Sequence, residues 1–179
     1  MLEIEIPEFE GYNEETEEFF NVNKTVLRLE HSLVSISKWE SKWHKPFLTN
    51  NKKSNEELLD YIRCMTITQN VNPIVYYNIP SDKIKEVKSY IEDSMTATTF
   101  KNTNNKRNQE IVTSELIYYW MVALEIPFEC QKWHLNRLLT LIKVCNIKNQ
   151  PSKKMPMREV LNNNRALNMA RRAKLHTKG

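Results

Sequence analysis

The chain has 179 residues, 40% apolar and 27% charged, enough for one packed core and too apolar for a disordered chain. It contains only two glycines, Gly11 and Gly179, which argues against P-loops, dinucleotide-binding turns and nucleophile elbows, since each needs several. The net charge of +4 conceals opposed ends, because residues 1–23 hold eight glutamates and no lysine or arginine, whereas residues 151–179 hold eight lysines or arginines and one glutamate; such ends can steer a partner or pair subunits head to tail.

Leu2-Glu3-Ile4-Glu5-Ile6 alternates with period two and reads as a half-buried strand ended by Pro7. The same first ten residues, MLEIEIPEFE, carry neither a basic n-region nor an apolar h-region, so no secretory leader is expected. A second extended piece is expected near Phe19–Val22, and Thr25–Glu30 alternates again. The connections are too short for helical crossovers, so these pieces predict a small antiparallel sheet or hairpin.

Ser32 reads as an N-cap, followed by Leu33, Ile36, Trp39 and Trp43 on one helical face that ends before Pro46. Thr49–Lys53 is a polar loop. Ser54 and Glu57 form a capping box, with Leu58, Tyr61, Ile62 and Met65 as the buried stripe behind it. Asn72-Pro73 opens a short helix. Ser81 is expected to cap another, with Ile84, Val87, Lys88 and Ile91 on one side. Met95–Phe100 is rich in threonine and reads as extended, and Asn102–Asn108 as a polar basic loop.

Ile111–Ile126 is nearly continuous in apolar residues around Tyr118-Tyr119-Trp120-Met121, and a helix apolar on most sides is covered by its neighbours or by a partner. Pro127 breaks it and is expected to start the next helix, Pro127–Asn146, with Trp133, Leu138, Leu141, Ile142 and Cys145 inward; the two should form a hairpin or sharp bend. Asn149–Pro156 reads as a linker. The last helix, Met157 to about Lys174, is basic and asparagine-rich, with a thin apolar stripe that is marginal alone in water. The expected fold class is α+β, mainly α. A small N-terminal antiparallel β element (1–30) and a helical part (31–149) form one globular domain, its β element packed against helices 32–44 and 110–146. Residues 150–179 supply a linker and a basic C-terminal helix. No apolar run approaches the ~18 residues of a transmembrane helix.

Little here suggests chemistry. Cys64, Cys130 and Cys145 show no CxxC spacing and read as reduced thiols in apolar helical patterns. Cys130 and His134 are four apart, a metal half-site at most, and a closed zinc site needs four ligands. Lys38-Trp39 and Lys42-Trp43 interleave cations and aromatics as a base-stacking surface would, but both tryptophans extend the Leu33/Ile36 stripe, which makes them core. Arg158, Arg165, Arg171, Arg172 and Lys174 could meet phosphate in a salt-sensitive way; a solvated or partner-ordered helix explains them equally. No catalytic, cofactor or metal residue is expected, and no enzyme.

Five blocks stand out together: His31–Trp43 (HSLVSISKWESKW), Asp60–Thr68 (DYIRCMTIT), Met95–Phe100 (MTATTF), Pro127–Asn149 (PFECQKWHLNRLLTLIKVCNIKN) and Asn168–Gly179 (NMARRAKLHTKG). In these, over nearly the whole length, the chain resembles a family of small proteins encoded in the structural-gene cluster of tailed bacteriophages, treated as tail assembly chaperones or as virion proteins of unassigned role. It departs from the family's more regular Pro-Pro and Ser-Arg linker pattern at Gln150-Pro151-Ser152 and Pro156-Met157. The resemblance implies a protein that binds the helical tape-measure protein or tail-tube subunits in the host cytoplasm, some members remaining in the virion. Tyr118, Tyr119 and Trp120 in the apolar segment, and Arg158, Arg165, Arg171 and Arg172 in the basic tail, are the residues expected to meet such a partner. Two alternatives are a virion structural protein, such as a head–tail connector or tail completion component, and a nucleic-acid-binding accessory protein. A homo-oligomer is compatible with the charge asymmetry; neither a membrane nor nucleic acid is the expected partner.

Overall fold

A computed structural model describes residues 1–13, 18–49, 53–100, 111–149 and 156–176. The expected loop at 102–108, and most of the loop at 49–53 and the linker at 149–156, lie outside these residues. The fold is α+β and mainly α, with a small antiparallel β element first and helices after it.

The β element is one nested hairpin. Strand β1 (Leu2–Ile6) pairs with β4 (Thr25–Leu29), and β2 (Phe9–Asn13) pairs with β3 (Glu18–Val22). The register never slips: Ile6 lies opposite Thr25, and Phe9 opposite Val22 continues the same count. The inward face nevertheless changes. In the base Ile4, Ile6, Leu27 and Leu29 are buried, so even positions of the first arm point in; beyond Pro7 it is Phe9 and, across the ribbon, Phe20 and Val22 that pack on the core. The unpaired joint at Pro7–Glu8 and Asn23–Lys24 allows this, because no ladder there holds the pleat in phase. Strand β2 was not read from the sequence, since Glu10, Gly11 and Asn13 are all poor strand formers. Gly11 has a steric role: a Cβ there would lie 2.2 Å from the Phe20 ring, which crosses the ribbon at that point.

Helix α1 (Leu33–Trp43) starts at Ser32, whose side chain accepts from Ser35 N–H, and buries Leu33, Ile36 and Trp39. Helix α2 (Asn55–Met65) starts at the expected Ser54–Glu57 capping box and buries Tyr61, Ile62 and Met65, with Leu58 half-buried. Its end pairs with the ribbon through a bridge between Leu29 and Thr66 and a bond from Ile67 N–H to the Arg28 carbonyl (2.8 Å). A 3-10 turn, Pro73–Asn78, follows, opened by the Asn72 side chain. Helix α3 (Ser81–Glu92) packs on β1, a neighbour the sequence did not identify.

Several expectations are corrected. Pro80, not Ser81, is the cap of α3, and no side chain caps that end. Lys88 is exposed, and Tyr90 is buried beside Val87 instead. Met95–Phe100 forms no strand. The apolar run 111–126 yields only α4 (Ser114–Ala123). It ends before Pro127 because Glu125 takes a left-handed turn (φ 54°), with Ile126 N–H bonded to the Met121 carbonyl (2.8 Å) and Glu125 N–H to that of Val122 (3.2 Å), a Schellman closure that precludes another helical turn. Pro127 starts not an α-helix but a 3-10 segment, Phe128–Lys132, and α5 runs Leu135–Asn149. Helix α6 (Met157–Leu175) occupies the expected place.

The chain divides into two compact units, Met1–Asn146 and Ile147–Gly179. The first holds a single apolar core that runs from Ile4 and Leu27 through Leu33, Trp39, Tyr61 and Ile117 to Leu138. Each such side chain, fully buried, contributes roughly 1.5–3 kcal/mol.

Candidate functional site

Two helices carry the residues singled out by sequence, and the structure treats them differently. Helix α4 is anchored at its start. The buried Glu40 carboxylate accepts from Ser114 N–H (2.7 Å) through one oxygen and from Phe47 N–H (2.7 Å) through the other. Ile117 and Met121 are wholly buried. The Tyr118 ring is half-buried and its hydroxyl donates to Gln131 Oε1 at 2.9 Å; Trp120 is half-buried against the core. Of the three aromatics at 118–120, only Tyr119 faces solvent, with Val122 one turn on.

In α6 no residue is buried. Met157, Leu161, Leu167, Met169 and Leu175 are each more than half exposed, and Arg158, Arg165, Arg171, Arg172 and Lys174 are exposed with them. Pro156 at its start offers no side-chain cap. Arg158, Arg165 and Arg172 recur every seven residues, which puts them along one side of the helix.

A third assembly lies inside the core and was missed from sequence. His31 and His134, unremarkable in their spacing, meet edge to face with ring centroids 5.0 Å apart. The Tyr61 hydroxyl lies 2.5 Å from His31 Nδ1, and the two share a hydrogen bond. His134 Nε2 lies 3.0 Å from the Tyr90 carbonyl, which can only accept, so this nitrogen carries the proton. That leaves His134 Nδ1 as a buried acceptor without a partner among the described residues. The Tyr90 hydroxyl donates to Glu30 Oε1 at 2.6 Å. Burial, and to a lesser degree the neighbouring His134, push His31 down from 6.5 to about 3. Burial raises both phenols, that of Tyr90 with help from Glu30. The His31 ring and both phenols therefore stay neutral at pH 7. With a bridge between Ser32 and His134 and a bond from Leu135 N–H to the His31 carbonyl (2.7 Å), the cluster pins the start of α5 to the β4–α1 junction.

Cys130 sits in the 3-10 segment and His134 just before α5, so the two do not share the single helix expected from the sequence. Among the described residues no three His, Cys, Asp or Glu are grouped to hold a metal ion. A cavity of about 290 Å³ beside Trp43, Leu59 and Tyr77 contains Asp60. Burial pushes that carboxyl up, but hydrogen bonds from Lys42 and from Trp43 Nε1 (2.9 Å) outweigh it, and the group sits below its ordinary value, fully engaged. Trp39 is core, its Nε1–H bonded to the Glu57 carbonyl (2.9 Å), and Trp43 stacks on it at 6.1 Å, so neither is a free base-stacking platform. No described helix is long and apolar enough to cross a membrane. No family model, curated protein or solved structure matches the chain.

Proposed function

We propose that this chain is an assembly protein that binds another polypeptide, in the manner of a tail assembly chaperone that keeps a tape-measure or tail subunit soluble during phage morphogenesis. One observation carries the reading: a nineteen-residue helix, α6, has no buried residue although five of its large apolar side chains are more than half exposed. A helix this thinly apolar gains little by itself in water, and most of its stability must come from what it packs against. An unassembled tape-measure protein exposes apolar helical faces that aggregate unless covered, and helix-on-helix packing can cover them. Tyr119 and Val122 on α4 offer a second apolar contact. The family resemblance over blocks 31–43, 60–68 and 127–149 supports the same reading.

Co-expression provides the test. The intact chain should keep the tape-measure protein in the soluble fraction, and a Leu161→Ser/Leu167→Ser variant should do so much less. Equal aggregation with and without the intact chain would sink the proposal. The opposed charges of the ribbon and α6 favour a second reading, a structural component retained in the particle; recovery of the chain from purified virions at fixed stoichiometry would select it.

A further inference from the structure

We propose that the exposed face of the β2–β3 ribbon is the docking site for the α6 helix of a second copy of this chain. The inference rests on α6 being a binding element and adds where it rests when no client is bound.

Among the described residues, β2 and β3 present one unpartnered face. Glu8, Glu10, Tyr12, Phe19, Asn21 and Asn23 all point to solvent, Tyr12 opposite Phe19 with ring centroids 5.0 Å apart. Against these paired arms lies a cavity of about 360 Å³ whose only charged lining groups are Glu8 and Glu10. The base of the same hairpin balances its acids, since Glu3 meets Arg28 at 3.0 Å and Glu5 meets Lys24 at 2.7 Å. Among the described residues no cation lies within ion-pair distance of Glu8 or Glu10. The tip therefore holds uncompensated negative charge beside two exposed rings.

Helix α6 carries the complement. Its Arg158, Arg165 and Arg172 stripe repeats about every 10.5 Å along the axis. From between Glu8 and Glu10 to the Tyr12–Phe19 pair is about 10 Å along the strands. One arginine can thus enter the acidic cleft as a charge-assisted hydrogen bonder while the next lies over the rings. Leu161 and Met169, three or four places from the stripe's arginines and so on the same side of the helix, add apolar contact. Ribbon and helix are different surfaces, so the association is heterologous, head to tail.

Sedimentation of the full chain over a concentration series tests this. Wild type should self-associate at low ionic strength and do so far less near 1 M salt, where screening acts within about 3 Å. Arg158→Glu/Arg165→Glu/Arg172→Glu and, separately, Glu8→Lys/Glu10→Lys should each weaken association at least about tenfold. An equimolar mixture of the two variants should restore it, because each then supplies the surface the other complements. All substituted residues are exposed, and unchanged circular dichroism would confirm that folding is intact. A wild-type chain that stays monomeric at every concentration, including one whose α6 folds onto its own ribbon, overturns the proposal; so does a charge variant that associates like wild type. Loss of tape-measure solubilisation with self-association intact would instead strike only the proposed function.

Discussion

Helices α4 and α6 form an instructive pair. Helix α4, SELIYYWMVA, is far more apolar than α6, MREVLNNNRALNMARRAKL, and from composition alone is the one that calls for a partner. The structure reverses the ranking. Neighbours already cover α4 apart from Tyr119 and Val122, its first amide received by a buried carboxylate and its end closed by a Schellman turn. Helix α6 has a smaller apolar share but leaves its large apolar side chains open. What makes a helix a binding element is the balance of apolar area left uncovered, not the amount it contains.

The largest expected effect tests how α4 is anchored. Glu40 receives two buried backbone amides, Phe47 N–H and Ser114 N–H, which no other group replaces. Glu40→Ala should cost about 3 kcal/mol, since each buried donor left unpaired costs roughly 1–3 kcal/mol. Glu40→Gln, which keeps one acceptor oxygen, should recover part of this. Denaturant midpoints measure both. A loss below about 1 kcal/mol for the alanine variant would mean that packing alone secures α4, and the contrast with α6 would weaken.

The second prediction concerns the core cluster and shows where sequence reading stops. The N-cap at Ser32, the capping box at Ser54, the Leu33/Ile36/Trp39 stripe and the alternation of β1 and β4 were legible because each is encoded within a few residues. Strand β2 was not, since its pairing depends on the opposite arm and on a glycine that makes room for Phe20. Nor was the His31–His134 pair, because 103 positions separate its members and only the folded chain brings them within 5.0 Å. The turn at Glu125 is hidden in the sequence because Pro127 by itself accounts for a helix stop. The exposure of Tyr119 and the burial of Met121 follow from which side of α4 meets α1, and no local pattern specifies that. The pair has a measurable consequence. Folded His31 takes its proton near pH 3 and unfolded histidine near 6.5, so on acidification the unfolded chain binds first and stability falls. The contribution is complete above about pH 6.5 and is lost at up to about 1.4 kcal/mol per pH unit as the pH falls toward 3. Going from pH 7 to pH 5 should therefore remove about 2 kcal/mol of unfolding free energy. Glu57 and Asp60, both held below their ordinary values, lose their contribution mainly below about pH 5, at the lower edge of that window. His31→Phe should lose stability at pH 7, through the abandoned Tyr61 hydroxyl, yet show a flatter dependence between pH 7 and 5. An unchanged slope would assign the acid sensitivity elsewhere.

The smallest expected effect sharpens the comparison most. Leu167→Ala in α6 removes a side chain that is 56% exposed. Alanine is at least as good a helix former as leucine, so no propensity is lost. Unfolding of the core should shift by no more than about 0.5 kcal/mol, as for surface substitutions generally. Leu138→Ala on α5, where the leucine is wholly buried, should cost about 2–5 kcal/mol by transfer and cavity terms. The informative measurement is the same pair of variants repeated with client bound. If α6 is ordered by what it holds, Leu167→Ala should cost little in the free chain and weaken the complex by an amount typical of a buried contact. A large loss in the free chain, matching Leu138→Ala, would show that the exposed stripe is already covered in solution, and the distinction between the two helices would collapse.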